Sequence, residues 1–158
     1  MSQDNIASRL DAIRATLPDG VGLVAVSKFH PAEAVMEAYE AGQRAFGESR
    51  VQELEQKVDR LPSDIRWHFI GHVQTNKLAR LIGRVALIES VDSLRLLSMI
   101  DRLSAERGVV TRVLMQVHVA AEETKFGFDP DELVGWFASR GFESLQATHI
   151  CGIMGLSL

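Results

Sequence analysis

Apolar positions along the chain switch between helical spacing and short unbroken runs. Between residues 4 and 17, Ile6, Leu10, Ile13 and Leu17 recur at helical spacing, with Arg9 and Arg14 off that stripe, which predicts an amphipathic helix. Pro18-Asp19-Gly20 stops it and turns the chain. The next run, Val21-Gly22-Leu23-Val24-Ala25-Val26-Ser27-Lys28, carries no charge before its terminal lysine. Such a run reads as a strand buried on both faces, as in a parallel sheet covered by helices. His30-Pro31 opens a second helix that Gly42 ends. Arg44 to Glu48 is a second strand, and a helix follows from Arg50 to Arg60.

The alternation then repeats. Arg66 to His72 reads as strand three, followed by a helix containing Lys77 to Ile82. Val85 to Glu89 is strand four. Asp92 is placed to cap a helix over 93–107, with Leu94, Leu97, Ile100 and Leu103 as its apolar stripe and Gly108 just past its end. Thr111 to Val119 is strand five. Asp129-Pro130 opens a helix that runs to near Gly141 and carries Leu133, Trp136 and Phe137 inward, and Gln146 to Met154 is strand six. No linker or low-complexity segment interrupts the series, so residues 1–158 are expected to form one domain.

Strands alternating with helices argue a parallel α/β architecture, either an open doubly wound sheet or a (β/α)8 barrel. The first crossover, Ser27 to Pro31, contains no glycine, which weakens a dinucleotide-binding reading. The sequence stops soon after strand six. Six strands cannot close an eight-stranded barrel, and such barrels run to about 250 residues. The expectation is therefore an open sheet, or a barrel without its last part.

Composition narrows the function. Hydrophobic residues make up 46% and charged residues 24% of the 158, with a net charge of −4. That gives no electrostatic case for nucleic acid or an anionic membrane surface. No apolar run approaches the roughly 20 residues of a membrane span, and Met1 to Asn5 lacks the features of a signal peptide. The lone Cys151 fits a reducing compartment and is expected as a small apolar core residue. The expected location is the cytoplasm.

Candidate chemistry gathers at the predicted carboxyl ends of strands, where ligands of parallel α/β proteins sit. Lys28 is there either as a solvated strand terminus or as an amine held for a ligand. The same rim is expected to carry Glu48, Ser49, His72, Ser90, Gln116 and His118. Such convergence is the signature of a small-molecule site. Gln116 and His118 share parity and so face one side. Glu122 to Gly127 follows as a charged, solvated loop. His68 and His72 are four apart but lack the intervening glutamate of a helical zinc motif, so no metal site is expected. A lysine at such a rim points to Schiff-base chemistry. Its amine, protonated at an ordinary pKa near 10.4, becomes nucleophilic when desolvation lowers it to about 7–8, and partial desolvation is expected after so apolar a run.

These residues resemble a known family. Ala25-Val26-Ser27-Lys28, Glu37 to Arg44, Phe46-Gly47-Glu48, Trp67 to Gln74 with Asn76-Lys77, Ser90 to Ser93, Lys125-Phe126-Gly127 and Gly152-Ile153-Met154 are similar to the pyridoxal phosphate homeostasis proteins. The resemblance implies an α/β fold, a (β/α)8 TIM barrel like the N-terminal domain of alanine racemase, lacking its last two β/α units. It implies that pyridoxal 5'-phosphate is held as a Schiff base on Lys28, with Ser49, His72 and Met154 as further cofactor-binding residues. The family's phosphate-binding residues lie in its last two strands and cannot be placed on this sequence. The implied role is intracellular vitamin B6 homeostasis, as a monomeric carrier or regulator without catalytic or metal-binding residues, serving pyridoxal-phosphate-dependent apoenzymes. The competing reading is an amino-acid racemase or decarboxylase using the same lysine. Two departures bear on the site: the family usually has Asn at the positions of Ser49 and His118.

Overall fold

The computed structural model describes residues 5–119 and 127–156. Among them are five α-helices: α1 (Ile6–Thr16), α2 (Ala32–Glu40), α3 (Val51–Val58), α4 (Leu94–Glu106) and α5 (Pro130–Ala138). Six strands alternate with them: β1 (Ala25–Val26), β2 (Ala45–Glu48), β3 (Arg66–Phe69), β4 (Leu87–Val91), β5 (Thr111–Val117) and β6 (Thr148–Gly155). The strand order in the sheet is β1-β2-β3-β4-β5-β6, with parallel pairing at β1/β2, β4/β5 and β5/β6. A doubly wound sheet reverses its strand order partway. This order never reverses, which sets that alternative aside. The chain divides into two compact units, residues 1–68 and 69–158.

In the first unit, Asn5 and Ser8 form a capping box at the start of α1, and α1 packs against α2. Of the predicted stripe only Leu10 is buried, and Ile13 is 47% exposed. Gly42, at φ 100°, ends α2 as the sequence predicted. Every residue of β2 is buried, and Phe46 packs on Trp67 with ring centroids 6.0 Å apart. The first strand corrects expectation. Only Ala25 and Val26 are strand, pairing with Phe46 and Gly47, while Val21 and Val26 are about half exposed. The cause lies in hydrogen bonding. β1 has a ladder on one side only, and the Leu23 carbonyl accepts from the buried Gln43 side chain (2.7 Å) in place of a strand partner.

The second unit is built on Phe69, Leu78, Leu81, Ile88, Ile100, Val113 and Met115, all nearly inaccessible. The segment containing Lys77 and Leu78 is a 3-10 helix, Thr75–Arg80, rather than an α-helix. It is only about two turns long at three residues per turn, with Gly83 at φ 88° close behind it. β4 lies two residues later than predicted. The cap of α4 is Ser93, whose hydroxyl accepts from the Leu96 N–H, and Asp92 is free to bind elsewhere. The buried face of α4 is Leu96, Leu97, Ile100 and Ser104, and Leu94 is left partly exposed. Asp101 on that helix accepts from the Gln146 and Ala147 N–H groups and the Thr148 hydroxyl, anchoring the start of β6. Along β6, half-buried and exposed residues alternate, and Cys151 falls on the exposed side. The expected core cysteine is therefore a surface residue within 3.3 Å of Arg112 Nε.

Candidate functional site

The strongest constellation surrounds the turn after β1. Ser27 extends the ladder by one bond, donating its N–H to the Gly47 carbonyl at 2.9 Å. Its hydroxyl donates to Glu48 Oε2 in a short hydrogen bond. Glu48 is wholly inaccessible, and its partner Lys57, from α3, is only 5% exposed. An ammonium has three protons to donate. Lys57 Nζ places them on the Ser27 carbonyl (2.8 Å), Glu48 Oε2 (2.9 Å) and Glu53 Oε2 (3.0 Å). Glu53 Oε2 also accepts the Phe29 N–H at 2.6 Å.

Phe29 has a φ of 66°, a left-handed setting that a non-glycine residue seldom takes. Burial opposes the charged form of Glu53. The hydrogen bonds from Lys57 and Phe29, with the charges of Lys57 and Arg50, outweigh it and hold the carboxyl below the usual glutamate range. Glu48 Oε1 is buried without a hydrogen-bond partner among the described residues.

Lys28 sits at the centre of this turn and takes no part in the network. Its side chain is exposed and has no hydrogen bond or ion pair among the described residues. The expected partial desolvation is corrected: β1 is not buried, and the following Phe29 and His30 are exposed as well. Ser49, half-buried, directly follows β2. Since β1 and β2 are parallel neighbours with Val26 opposite Gly47, Lys28 and Ser49 lie beyond the carboxyl ends of adjacent strands.

In the second unit, His72 is exposed and its Nδ1 lies 3.2 Å from Asp92 Oδ2, the acid that the sequence placed at the helix cap. The Ser90 hydroxyl donates to the Gly71 carbonyl at 2.5 Å. A cavity of about 440 Å3 opens here, with His72, Gln74, Asn76, Asp92 and Arg95 in its lining. Met154, half-buried on β6, stands opposite Gln116 of β5. Three groups expected at the rim, Glu48, Ser90 and Gln116, lie at the carboxyl ends of β2, β4 and β5 and are buried there. The backbone beyond β5 is bridged back by Phe128, whose carbonyl accepts from the His118 N–H and whose N–H donates to the Gln116 carbonyl.

Most of the predicted loop at 122–127, including Lys125 and Phe126, lies outside the described residues. Among the described residues no group of three or more His, Cys, Asp or Glu side chains is arranged to hold a metal. No helix among them is long and apolar enough to cross a membrane. Sequence reasoning missed Lys57 and Glu53. Their spacing of four on one helix was the available signal, and that spacing ordinarily marks a solvated surface pair.

The model of the alanine racemase N-terminal domain matches residues 1–155, and the chain belongs to that family. Within it, the chain is similar to pyridoxal phosphate homeostasis proteins. That of Schizosaccharomyces pombe is 38% identical over 136 residues, covering 82% of this chain and 57% of the relative. That of Aquifex aeolicus is 42% identical over 112 residues, covering 70% and 49%. Among solved structures, PipY of Synechococcus elongatus PCC7942 with pyridoxal phosphate (PLP) bound aligns at a TM-score of 0.87 and 40% identity, over 97% of this chain and 71% of PipY. An alanine racemase of Clostridium difficile, 18% identical with a TM-score of 0.81, shares the fold. The chain spans roughly half to two-thirds of the length of the first three curated relatives it matches, 57%, 49% and 65%.

Proposed function

We propose that this chain holds PLP covalently on Lys28 and serves vitamin B6 balance in the cytoplasm as a carrier, not as an enzyme. The observation that carries the reading is the presentation of Lys28. It is an exposed primary amine with no competing partner, on a turn fixed by buried charges at the carboxyl end of a strand. The residues fit the group. An aldehyde needs an accessible amine, and the Lys28 side chain is exposed. Condensation of the aldehyde with Lys28 Nζ expels one water and leaves a C=N bond. The PLP-bound structure of PipY and the names of the homologues support the same cofactor. Ser49, His72 and Met154 are the further residues assigned to it, and PLP-dependent apoenzymes are the assigned recipients, served by a monomer.

The competing racemase or decarboxylase reading requires a group free to move a proton at the substrate. The two acids next to this turn, Glu48 and Glu53, are both engaged by Lys57, which favours the carrier. The test is chemical. Incubation with PLP should produce visible absorbance, and borohydride should fix a pyridoxyl group on the peptide containing Lys28. Lys28→Ala should abolish both, and an adduct surviving that substitution refutes the assignment. Racemisation or decarboxylation of amino acids well above a protein-free control would refute the carrier role.

A further inference from the structure

We infer that Lys57, with Glu48 and Glu53, is a positioning device that sets the direction of the Lys28 amine and so the rate at which it captures an aldehyde. The inference rests on the assignment of Lys28 as the attachment point. The two peptide groups flanking Lys28 are each held by this cluster. On one side Lys57 Nζ donates to the Ser27 carbonyl at 2.8 Å. On the other, Glu53 Oε2 accepts the Phe29 N–H at 2.6 Å. The Glu48 carboxylate closes the set through the Ser27 hydroxyl and Lys57. Lys28 itself makes none of these bonds, so its backbone is fixed while its amine is left free.

The arrangement is more than local packing requires. A buried ammonium is costly unless its protons are all accepted. All three of Lys57 are, and two of the acceptors serve the turn: the Ser27 carbonyl belongs to it, and Glu53 binds its Phe29 N–H. The left-handed φ of Phe29 is held where Glu53 takes its N–H. The Arg50 guanidinium lies 5.0 Å from the centre of the Phe29 ring, and Arg60, just past α3, shares a cavity lining with Phe29 and His30. Losing Lys57 would take the ammonium from both carboxylates and from the Ser27 carbonyl, which would keep only the His30 N–H (3.0 Å), and would leave Glu53, the acceptor of the Phe29 N–H, without its anchor. The amine would then spend most of its time in directions unsuited to attack.

Removing Lys57 alone can simply unfold the unit, so the decisive variant is the pair Lys57→Met with Glu48→Leu. Replacing a buried ion pair by apolar residues of similar volume often leaves stability unchanged. The double variant should melt within a few degrees of the parent but develop PLP absorbance at least tenfold more slowly. Its Phe29 amide should also exchange with deuterium at least tenfold faster. Wild-type capture rate in a folded double variant would overturn the inference, as would unchanged protection of Phe29. If the parent protein forms no adduct with PLP, the proposed function fails. The inference is then decided by acetylation of the Lys28 amine, whose rate should differ between parent and double variant, and by the Phe29 amide.

Discussion

Glu53 does the work of two residues in this chain, neutralising Lys57 and holding the backbone of Phe29 in a setting that costs a non-glycine residue on the order of 1–2 kcal/mol. That dual load has a pH signature. The Glu53 carboxyl lies below its ordinary value in the folded chain, because the bonds from Lys57 and Phe29 outweigh the penalty of its burial. A carboxyl depressed by folding contributes stability above its unfolded pKa, about 4.3, and loses it as pH falls through the lower folded value. Glu53→Gln should therefore be less stable than the parent at pH 7, by about 1.5–3 kcal/mol for lost hydrogen bonds to a charged group. The difference should shrink as pH falls below the ordinary glutamate range and through the lower folded value. Urea unfolding at a series of pH values measures the gap, and a gap that stays constant or widens on acidification would rule out the ionised form as the stabilising one.

Among the elements, legibility followed locality. β2, α3 and the closing glycine of α4 were readable because a short strand, the helix after it and a helix-ending glycine are set by neighbouring residues in the sequence. α4 shows where that stops: its length was readable, but its buried face was not. Ser104 turns inward because its hydroxyl meets Thr111 Oγ1 at 2.6 Å, and no helix pattern contains the position of a strand residue. β1 and β6 misled for a related reason. Burial of a strand depends on its having neighbours, so an apolar sequence left Val26 and Ile153 exposed. The position of Lys28 was readable from a lysine that ends an apolar run. Its clamp was not, because Lys57 reaches the turn from 30 residues away in sequence.

Asp101 is the counterpart device in the second unit, and the least predictable one. A single carboxylate, on the α4 face that meets the β6 entry, accepts two backbone N–H groups and one hydroxyl. Burial opposes its charge, but the Ala147, Gln146 and Thr148 bonds prevail and keep it below the ordinary aspartate range. Asp101→Ala strands those donors and should cost about 1–3 kcal/mol. The loss should be concentrated in β6, so amide exchange should accelerate from Thr148 onward and leave the Glu48–Lys57 cluster unchanged. A uniform loss of protection through both units would show that Asp101 does not act locally.

At the scale of the whole molecule the question is whether the two compact units unfold as one. The boundary at residues 68 and 69 falls inside β3, between His68 and Phe69. Unfolding either unit therefore breaks the same strand, and Phe69 is only 1% exposed. We propose on this ground that residues 1–158 behave as a single cooperative domain. The chain carries its own reporters. Trp67 is buried in the first unit against Phe46, and Trp136 is half-buried in the second beside Phe137. In Trp136→Phe the fluorescence reports the first unit, and in Trp67→Phe the second. Each variant has its own stability, so the comparison is made within a variant: its fluorescence midpoint in urea should coincide with the midpoint of its helical circular dichroism, which samples both units. Coincidence in both variants is expected. A fluorescence transition separated from the circular dichroism in either would show that the units fold independently, with β3 as the seam.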